Sequence, residues 1–519
     1  MKSSPIFKIA VLCISIVLIG LLFIQLRAKS TVASFLDRKI PAHINLEYDD
    51  LAINILAGEI QFSNINLNIR DRDTTLNHTS IRVNELTFEG LSHWQFFFKN
   101  TIKASLVSVT KPQLEYYPSK SFRKETDKPQ GLVKLLKNIE IEKIAITNGS
   151  FKMWQQKNDS ILVSARDINF VLNSGKTNPE IIQQKIPLTY DGYNFSAAEI
   201  FVDLGSYESV KADKLSISET NAELTNMVLK SKYSKANLSN IIPKERDHIE
   251  LKIPKSNLKK IDFGFEENRF FFSSQFGLIE NLDLIAYRDK LVEDDFTFKK
   301  MYSSMLRELP LNLTIDSLAL VNSKIKYAEN HKRETKAGSL FFDDVNLKLK
   351  NISNTYPKGG QTIATAEGKL MGSALITLNY SFDVSDSQDG FTLAGTVHQL
   401  EGEKINSFLK PILNAQIKGE INELYFTTTG NRNAIKGDMK MKYANLKFEL
   451  LKKDRLKINK LLSAIGNLFI NDGSDTDTQG YRYGTIDVER DNTKSFFNYI
   501  WIGTQDGIIS TLTGDGEKK

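Results

Sequence analysis

The side chains that most often carry catalysis or bind metals are few and dispersed in this chain. No two of its six histidines lie at the short spacings that zinc sites use. They are His43, His78, His93, His248, His331 and His398. The one cysteine, Cys13, has no second cysteine with which to form a disulfide or a thiolate metal site. We interpret the histidines as surface or capping residues and predict no metal and no cofactor.

The acidic segment 471–477, NDGSDTD, is the next candidate, because hard cations such as calcium bind clustered carboxylates. It lacks the glycine and the distal glutamate of an EF-hand loop, which favours a solvated turn. The chain contains no Gly-x-Ser-x-Gly elbow, no P-loop and no dinucleotide-binding fingerprint at a strand-to-helix turn. We therefore predict no catalytic residue.

Composition indicates a chain that folds mostly in water. It has 519 residues, of which 41% are hydrophobic and 25% are charged, and these values are typical of globular proteins. The 68 Lys and Arg against 62 Asp and Glu leave a net charge of +6, with both signs interleaved. A nucleic-acid-binding surface would collect its basic residues in one stripe, so nucleic acid is not predicted as a partner.

Residues 9–24, IAVLCISIVLIGLLFI, form an apolar run with Lys2 and Lys8 before it and Arg27 and Lys29 after it. As a helix rising about 1.5 Å per residue, the run is about 24 Å long, and its flanks extend it to the roughly 30 Å hydrocarbon core of a bilayer. We predict a single transmembrane anchor. Its representative apolar residues are Ile9, Leu12, Ile16, Leu22 and Ile24.

A cleaved signal peptide and a buried helix are the alternative interpretations of this run. Cleavage requires small residues just before the cut, and residues 25–29, QLRAK, do not provide such a site. Basic residues flank both ends of the run, so the charge bias is close to balanced. Because a lone N-terminal anchor usually exports the large domain that follows it, we predict a body on the far side of the membrane.

Beyond residue 40, apolar residues mostly alternate with polar ones. Such alternation occurs at Ile60-x-Phe62, Leu86-x-Phe88, Leu313-x-Ile315 and Leu347-x-Leu349. This period is typical of strands with one apolar face, and the turns of Asn, Asp, Gly and Ser between them favour an antiparallel meander. The predicted class is mainly β, with a few short helices at 131–138, 296–309, 404–413 and 458–469.

An internal repeat reads apolar-x-apolar, a polar turn, then apolar-x-apolar. Its copies begin at residue 106 (LVSVTKPQLEY), residue 143 (KIAITNGSFKM) and residue 317 (SLALVNSKIKY). The second and third copies each precede a further amphipathic segment, DINF at 167–170 and DVNL at 344–347. We interpret each copy as two short strands around a tight bend, which predicts stacked structural units.

These patterns resemble those of a known family. The stretch 51–67, LAINILAGEIQFSNINL, resembles the N-terminus of AsmA-like proteins, and the segment ending in KPQL at 111–114 resembles their recurring strand pair. Segments 415–421 (AQIKGEI) and 435–446 (IKGDMKMKYANL) resemble the C-terminal region of that family. The resemblance spans most of the chain, rests on hydrophobic patterns with a few glycines, and is least between residues 118 and 310.

The resemblance to AsmA-like proteins implies a periplasmic body anchored in the inner membrane of a Gram-negative bacterium by one span. That family is similar to bridge-like lipid-transfer proteins, which implies an N-terminal transmembrane helix followed by an elongated, curved antiparallel β-sheet with an apolar groove. The expected regions are a cytoplasmic tail and anchor at 1–30, an N-terminal AsmA-like β region at 31–118, a central β-rich region at 119–310 and a C-terminal AsmA-like β region at 311–519.

Three functions are compatible with these expectations. The first is binding and transfer of phospholipid or another acyl-chain lipid for outer-membrane maintenance, with the inner membrane and other envelope proteins as further partners. Apolar area buried at about 25 cal/mol per Å2 would hold such a ligand without catalytic residues. The second is a non-enzymatic scaffold that assists outer-membrane protein assembly by offering strand edges. The third is an enzyme.

The repeat strands supply the lipid-binding candidates, because residues two apart lie on the same face of a strand. The candidates are Ile144, Ile146, Phe151, Met153, Leu318, Leu320, Ile325 and Tyr327. Two aromatic runs, at 94–98 and 496–501, are expected either at a membrane interface or packed in a core.

Overall fold

A computed structural model describes residues 27–34, 36, 38, 40–70, 76–118, 137–155, 160–332, 336–451 and 476–514. The protein is mainly β, with 61% strand and 14% helix, and its strands form a mixed sheet of 22 strands. Two compact units divide the chain: unit 1 comprises Met1–Asp203 and Ala212–Glu219, and unit 2 comprises Leu204–Lys211 and Thr220–Lys519. The predicted β class is therefore confirmed.

In its described residues, unit 1 contains nine strands, helical residues at 27–34, a 3-10 turn at Ile181–Gln183 and one further short helix. The strands are β1 (Ile44–Glu47), β2 (Asp50–Asn54), β3 (Glu59–Arg70), β4 (Asn77–Glu89), β5 (Thr101–Thr110), β6 (Gln113–Tyr116), β7 (Asn138–Trp154), β8 (Ile161–Thr177) and β9 (Gly192–Asp203), and the helix is α1 (His93–Phe98). β1 and β2 both pair with β3, and β3 pairs with β4. β4 pairs with both β5 and β6, and these two strands pair with β7 on their other side. β7 pairs with β8, and β8 pairs with β9. Strand β10 (Glu208–Ser218) has residues in both units.

Unit 2 contains longer strands and four helices in its described residues. The strands are β11 (Asn221–Ser231), β12 (Asp247–Glu266), β13 (Arg269–Glu280), β14 (Asp283–Asp289), β15 (Asn312–Asn330), β16 (Gly338–Ser353), β17 (Gln361–Leu370), β18 (Ala374–Asp383), β19 (Phe391–Glu401), β20 (Ala415–Gly430), β21 (Ala434–Leu450) and β22 (Arg482–Glu489). The helices are α2 (Lys235–Ile241), α3 (Tyr302–Arg307), α4 (Gly402–Leu413) and α5 (Phe496–Thr513).

Among the described strands, each unit has two parallel pairs, so the prediction of an antiparallel sheet is wrong for them. β5 and β6 both run parallel to β7, and β13 and β14 both run parallel to β15. A parallel pair needs a long connection, which residues 117–137 and 290–311 provide. Alternation of apolar and polar residues is the same for either direction of pairing, so the pattern could not distinguish them.

The sequence repeat corresponds to the register of these parallel pairs. The first copy forms β5 and β6 and lies beside the second copy in β7, with Leu106 opposite Lys143 and Tyr116 opposite Met153. The third copy, in β15, lies beside residues 276–286, where Ala286 is opposite Tyr327. The proposed tight bend is wrong, because β5 and β6 continue in one direction along both neighbours.

A residue with left-handed backbone angles lies near the centre of each of the four repeat segments. Lys111, Asn148, Asn281 and Asn322 have φ angles of 50°, 54°, 56° and 50°. The register of β7 against β8 and of β15 against β16 shifts at these levels, which identifies β-bulges. A bulge bends its strand and increases the local twist, so the repeat strands are bent at equivalent positions.

An asparagine on the neighbouring strand supports each bulge. The Oδ1 atom of Asn169 accepts the Asn148 N–H at 3.1 Å, and its Nδ2 donates to the Asp167 carbonyl at 2.8 Å. In unit 2, Asn346 makes the same pair of bonds with the Asn322 N–H, at 3.0 Å, and with the Asp344 carbonyl, at 3.2 Å. The DINF and DVNL segments are therefore equivalent structural elements.

We expect Asn169→Ala to destabilise unit 1 by about 1 kcal/mol, because the bulge N–H loses its acceptor. Chemical denaturation followed by circular dichroism would measure this as a lower midpoint at an unchanged slope. Asn173→Ala, at an exposed position of the same strand, is the matched control. Equal midpoints for the two variants would show that the side-chain bonds contribute nothing.

The described core of unit 2 lies between the C-terminal strands and helices α3, α4 and α5. Its buried members include Phe391, Phe426, Met439, Ile486 and Tyr499. Helix α5 lies close to β22 at Gly484, where a Cβ atom would be 2.5 Å from the Thr511 amide nitrogen. A glycine at this position is what allows the helix to pack directly on the strand.

Helix α5 also covers the side of β22 that faces away from β21. The Thr485 N–H donates to Ser510 Oγ, and the Asp487 N–H donates to Asp506 Oδ2, both at 2.9 Å. Unpaired N–H groups along a strand are a template for pairing with another chain. In β22, the N–H groups of Thr485 and Asp487 are already hydrogen-bonded to side chains of α5 and are not open to a partner strand.

The predicted helices are partly confirmed. Helix α4 matches the prediction at 404–413, whereas only Tyr302–Arg307 is helical within 296–309. The preceding residues are held as a loop, because the Asp295 carboxylate accepts the Thr297 N–H at 3.0 Å and the Lys299 N–H bonds the Asn492 carbonyl at 2.8 Å. The prediction at 131–138 lies outside the described residues as far as residue 136, and it is wrong at Asn138, which begins strand β7. The prediction at 458–469 lies outside the described residues.

The predicted anchor at residues 9–24 also lies outside the described residues. Its named positions are Ile9, Leu12, Ile16, Leu22 and Ile24. In the part of the chain that the structure does describe, no helix combines the length and apolar character needed to cross a bilayer. The anchor therefore stays a prediction.

Candidate functional site

One face of unit 1 carries apolar rows that cross seven strands. The first row is Leu51, Phe62, Leu86, Val109, Ile146, Phe170 and Phe195. The second row is Ile53, Ile60, Phe88, Val107, Ile144, Leu172 and Tyr193. With strands about 4.8 Å apart, each row is about 29 Å long. We call this surface the apolar face of unit 1.

Most side chains of these two rows are half-buried. Only Leu51, Val107 and Leu172 are buried. On the opposite face, the row between them contains Gln61, Thr87, Ser108, Ala145, Val171 and Asn194. The two faces therefore differ in composition, and the apolar side chains of one face keep part of their surface uncovered.

The four candidates in β7 all lie on the apolar face of unit 1. Ile144 and Ile146 belong to the two long rows, and Phe151 and Met153 lie beyond the bulge. Ile146 and Phe151 are an odd number of residues apart, so in a regular strand their side chains would lie on opposite faces. The extra residue of the bulge compensates for this and places them on the same face. Phe151 pairs with Leu114, and Met153 pairs with Tyr116.

The four candidates in β15 likewise share one face of unit 2. Leu320 lies in a row with Ile279, Leu347, Ala366, Leu378, Gly395, Phe426 and Met439. Ile325 lies in a row with Leu229, Leu251, Leu284, Phe342, Leu370 and Ala374. Leu318 pairs with Leu349, and Tyr327 pairs with Leu340.

Coverage of this face changes along the row that contains Leu320. Leu378 is 36% exposed, whereas Met439, three strands further on, is 1% exposed. Met439 lies against Gly507 of α5. The face of unit 2 is thus partly open at β18 and sealed where α5 packs on β21.

At Tyr327, a row of charged residues borders the apolar face of unit 2. Asp247, Arg288 and Glu329 lie side by side on β12, β14 and β15. Two bonds of 2.7 and 2.9 Å join the Arg288 guanidinium to Asp247. Burial opposes the charge of Arg288, but these bonds outweigh it and hold the pKa of Arg288 above its usual value.

Tyr327 is the one candidate with a polar contact at this border. Its hydroxyl donates to Glu329, which is also within 3.0 Å of His331 Nε2. Burial raises the pKa of Tyr327, and the neighbouring Glu329 carboxylate raises it further. The ring of Tyr327 therefore ends the apolar surface, and its hydroxyl joins the charged row.

Metal-ligating groups do not converge in the part of the chain that is described, where no three His, Cys, Asp or Glu side chains form a possible ion site. Residues 471–475 of the acidic segment lie outside that part. Asp477 accepts hydrogen bonds from the N–H groups of Gln479 and Tyr481, at 2.8 and 2.9 Å.

The interpretation of the histidines as surface or capping residues is wrong for His248. Its side chain is buried, and its Nε2 atom lies 2.9 Å from the Tyr233 carbonyl oxygen.

The two aromatic runs have different surroundings. Trp94 and Phe98 of α1 are exposed and lie against each other, with ring centroids 4.3 Å apart. In α5, Tyr499 is buried and Trp501 contacts Phe408, with centroids 5.5 Å apart. Core packing is therefore the role of these two α5 residues.

Residues 276–286 were missed as a repeat copy. They pair with the third copy in β15, and Leu284 and Ala286 lie beside Ile325 and Tyr327. The spacing of their apolar residues resembles that of the other repeat copies and could have identified them from the sequence. Gly277, opposite Leu318, interrupts that signal where the other copies have an apolar side chain.

Comparisons of the chain with models of protein families and with curated proteins found no match. The resemblance to AsmA-like proteins therefore rests on the sequence patterns alone. The apolar rows of the two units are the feature of the described residues from which a function can be inferred.

Proposed function

We propose that this protein binds acyl-chain lipid, phospholipid in particular, on the apolar faces of its sheet and helps to transfer it between membranes of the cell envelope. The observation that carries the proposal is the pair of rows in unit 1, with seven apolar side chains each and most of them half-buried. An extended acyl chain is a ligand whose shape and chemistry match such rows.

Binding of an acyl chain depends on the apolar surface area that is buried, and it does not require specific polar contacts. Each CH2 group removed from water contributes about 0.8 kcal/mol, so an acyl chain along a 29 Å row would gain from many small contacts. Apolar ligands are usually held in concave apolar sites with few polar groups. Bulges at Asn148 and Asn322 bend the repeat strands, which supports a concave surface.

The cellular setting is part of the same proposal. An anchor at residues 9–24 would hold the body at the inner membrane, with the sheet in the periplasm, as the resemblance to AsmA-like proteins implies. Lipid would then enter from the membrane to which the body is tethered. The other envelope proteins and the outer membrane are the remaining partners in this scheme.

The alternative function is a non-enzymatic scaffold that assists assembly of outer-membrane proteins. A scaffold that works by strand addition needs backbone donors that a partner strand can reach. In β22 those donors are bonded to Ser510 and Asp506 of α5. This arrangement favours lipid binding over strand donation at that strand.

We expect Ile146→Asp to remove most of the co-purified phospholipid while leaving the protein folded. Ile146 is half-buried inside the first row, with Val109 and Phe170 on either side, so a carboxylate there would stay hydrated in the empty protein but would be buried beneath a bound acyl chain. A penalty of about 1.4 kcal/mol or more corresponds to at least a roughly tenfold loss of bound lipid. Mass spectrometry of lipid extracted from the purified full chain measures this loss.

Thr147→Asp is the matched control, because Thr147 is the next residue on β7 and is exposed. It introduces the same charge outside the row, so its lipid content should equal that of the wild type. Thermal unfolding of both variants reports on folding. Equal lipid content in all three proteins, or no lipid in the wild type, would contradict the proposed site.

A further inference from the structure

An exposed group of large apolar side chains lies at the loop before α3 and the start of α5, outside the rows of the apolar faces. It consists of Phe296, Phe298, Tyr302, Met305 and Phe497, which are 66%, 62%, 39%, 53% and 73% exposed. We call this group the aromatic patch. A patch of this kind on a folded surface marks an interaction site rather than a requirement of folding.

The members of the aromatic patch come from segments that touch. The ring of Tyr302 lies 6.5 Å from that of Phe497 between centroids. The loop that carries Phe296 and Phe298 is bonded to the segment before α5 through the Lys299 N–H and the Asn492 carbonyl, at 2.8 Å. Lys494, in that segment, lies 5.9 Å from the centroid of Phe296.

The charges around the aromatic patch are compensated locally. Lys299 is paired with Asp295, and Lys300 is paired with Glu308. Lys494 lies 3.2 Å from Asp294. Each of these lysines therefore has a carboxylate beside it, and the three pairs carry no excess of either sign.

We infer that the aromatic patch docks on the surface of a zwitterionic lipid bilayer. Phenylalanine and tyrosine rings are favoured at the interface between lipid headgroups and acyl chains, where one side is apolar and the other is wet. Headgroups with paired positive and negative charges complement a border of paired lysines and carboxylates. The inference does not depend on lipid binding at the apolar faces, because none of the five residues of the aromatic patch belongs to their rows.

The test uses the full chain with Cys13→Ser, so that a single introduced cysteine can carry an environment-sensitive fluorophore. The label is placed at Phe497→Cys in one protein and at Leu375→Cys in another, since Leu375 is an exposed apolar residue of β18 outside the patch. Each protein is mixed with vesicles of brominated phosphatidylcholine, whose acyl-chain bromines quench nearby fluorophores. We expect loss of emission at position 497 and little loss at position 375.

The predicted anchor would bring both labelled proteins to the vesicles, so the difference between the two positions is the readout. The variant F296S/F298S, which changes two exposed residues, should reduce quenching at position 497 without changing thermal unfolding. Quenching at 497 should also persist at high salt and in vesicles without anionic lipid, because the border charges are paired.

Three outcomes would overturn the inference. Equal quenching at positions 497 and 375 would show that the patch makes no special contact with lipid. Quenching that requires anionic lipid and disappears at high salt would assign the contact to charges instead of aromatic rings. A concentration-dependent blue shift at 497 in the absence of vesicles would identify a second copy of the chain as the occupant.

Discussion

Asp389→Asn is expected to lower the stability of unit 2 by about 3 kcal/mol, the lower end of the range for breaking a buried ion pair. The side chain of Asp389 is 4% exposed, and its carboxylate accepts a hydrogen bond from Arg307 at 2.8 Å and forms an ion pair with Arg432 at 3.1 Å. Ser303 and Ser304 donate to it as well, at 2.9 and 2.8 Å. One carboxylate thus joins helix α3 to the loop before β19 and to the turn between β20 and β21.

The loss arises because two guanidinium groups would keep their positions without a counter-charge. Both arginines retain partial access to water, which is why the lower end of the range is expected. Asp487→Asn is the control, since Asp487 pairs with Lys436 at 3.0 Å and both side chains are largely exposed. It should change the denaturation midpoint by no more than the equivalent of about 0.5 kcal/mol. Equal midpoints for the two variants would contradict the expectation.

The same carboxylate gives unit 2 an acid-sensitive component. Burial alone would raise the pKa of Asp389, but the bonds from Arg307 and the two serines outweigh it and hold that pKa below its usual value. A group with a lowered pKa in the folded state stabilises the protein above its unfolded pKa, about 3.9 for Asp. This contribution is lost as the pH falls from there through the folded pKa. The difference in denaturation midpoint between the wild type and Asp389→Asn should therefore become smaller below about pH 4.

Tyr499→Ala is expected to cost about 3–5 kcal/mol, the range for truncating a large buried aromatic side chain. Tyr499 is 2% exposed, and its ring lies 6.2 Å from that of Phe391 between centroids. Its hydroxyl donates to the Asn431 carbonyl at 3.3 Å, and the Arg490 guanidinium lies 5.8 Å from its ring centroid. Truncation would leave a cavity between α5 and the sheet and remove the ring beside a buried arginine.

Phe497→Ala is the matched control, because Phe497 precedes Tyr499 by two residues on the same helix and is 73% exposed. Its truncation should change stability by no more than about 0.5 kcal/mol. Denaturation of the two variants, followed by near-ultraviolet circular dichroism, compares them directly. A small effect of Tyr499→Ala would show that α5 contributes little to the core of unit 2.

Alternation predicted the strands and the faces of the candidate site because each strand has one apolar face. Ile144 and Ile146 lie on the expected common face, as do Leu318 and Leu320. Strand direction was outside the reach of this reasoning, since a Val opposite an Ile looks the same in parallel and antiparallel pairs. The repeat was recognised in sequence, but its meaning as the register of two neighbouring strands needed the pairing itself.

Contacts between distant segments were also outside its reach. Asp389 and Ser303 are 86 residues apart, and neither belongs to a motif that would suggest a partner. Gly484 gave no signal either, because its role depends on the backbone of α5. Such features depend on how elements pack, whereas periodicity reports only on the elements.

The cover of β22 by α5 has a consequence for self-assembly. Partial unfolding that detached α5 would release the Thr485 and Asp487 donors and uncover Met439 and Ile486 at the same time. An exposed strand with free donors and an apolar face is the template on which cross-β aggregates grow. Docking of this one helix therefore protects the protein against forming fibres, in addition to completing its core.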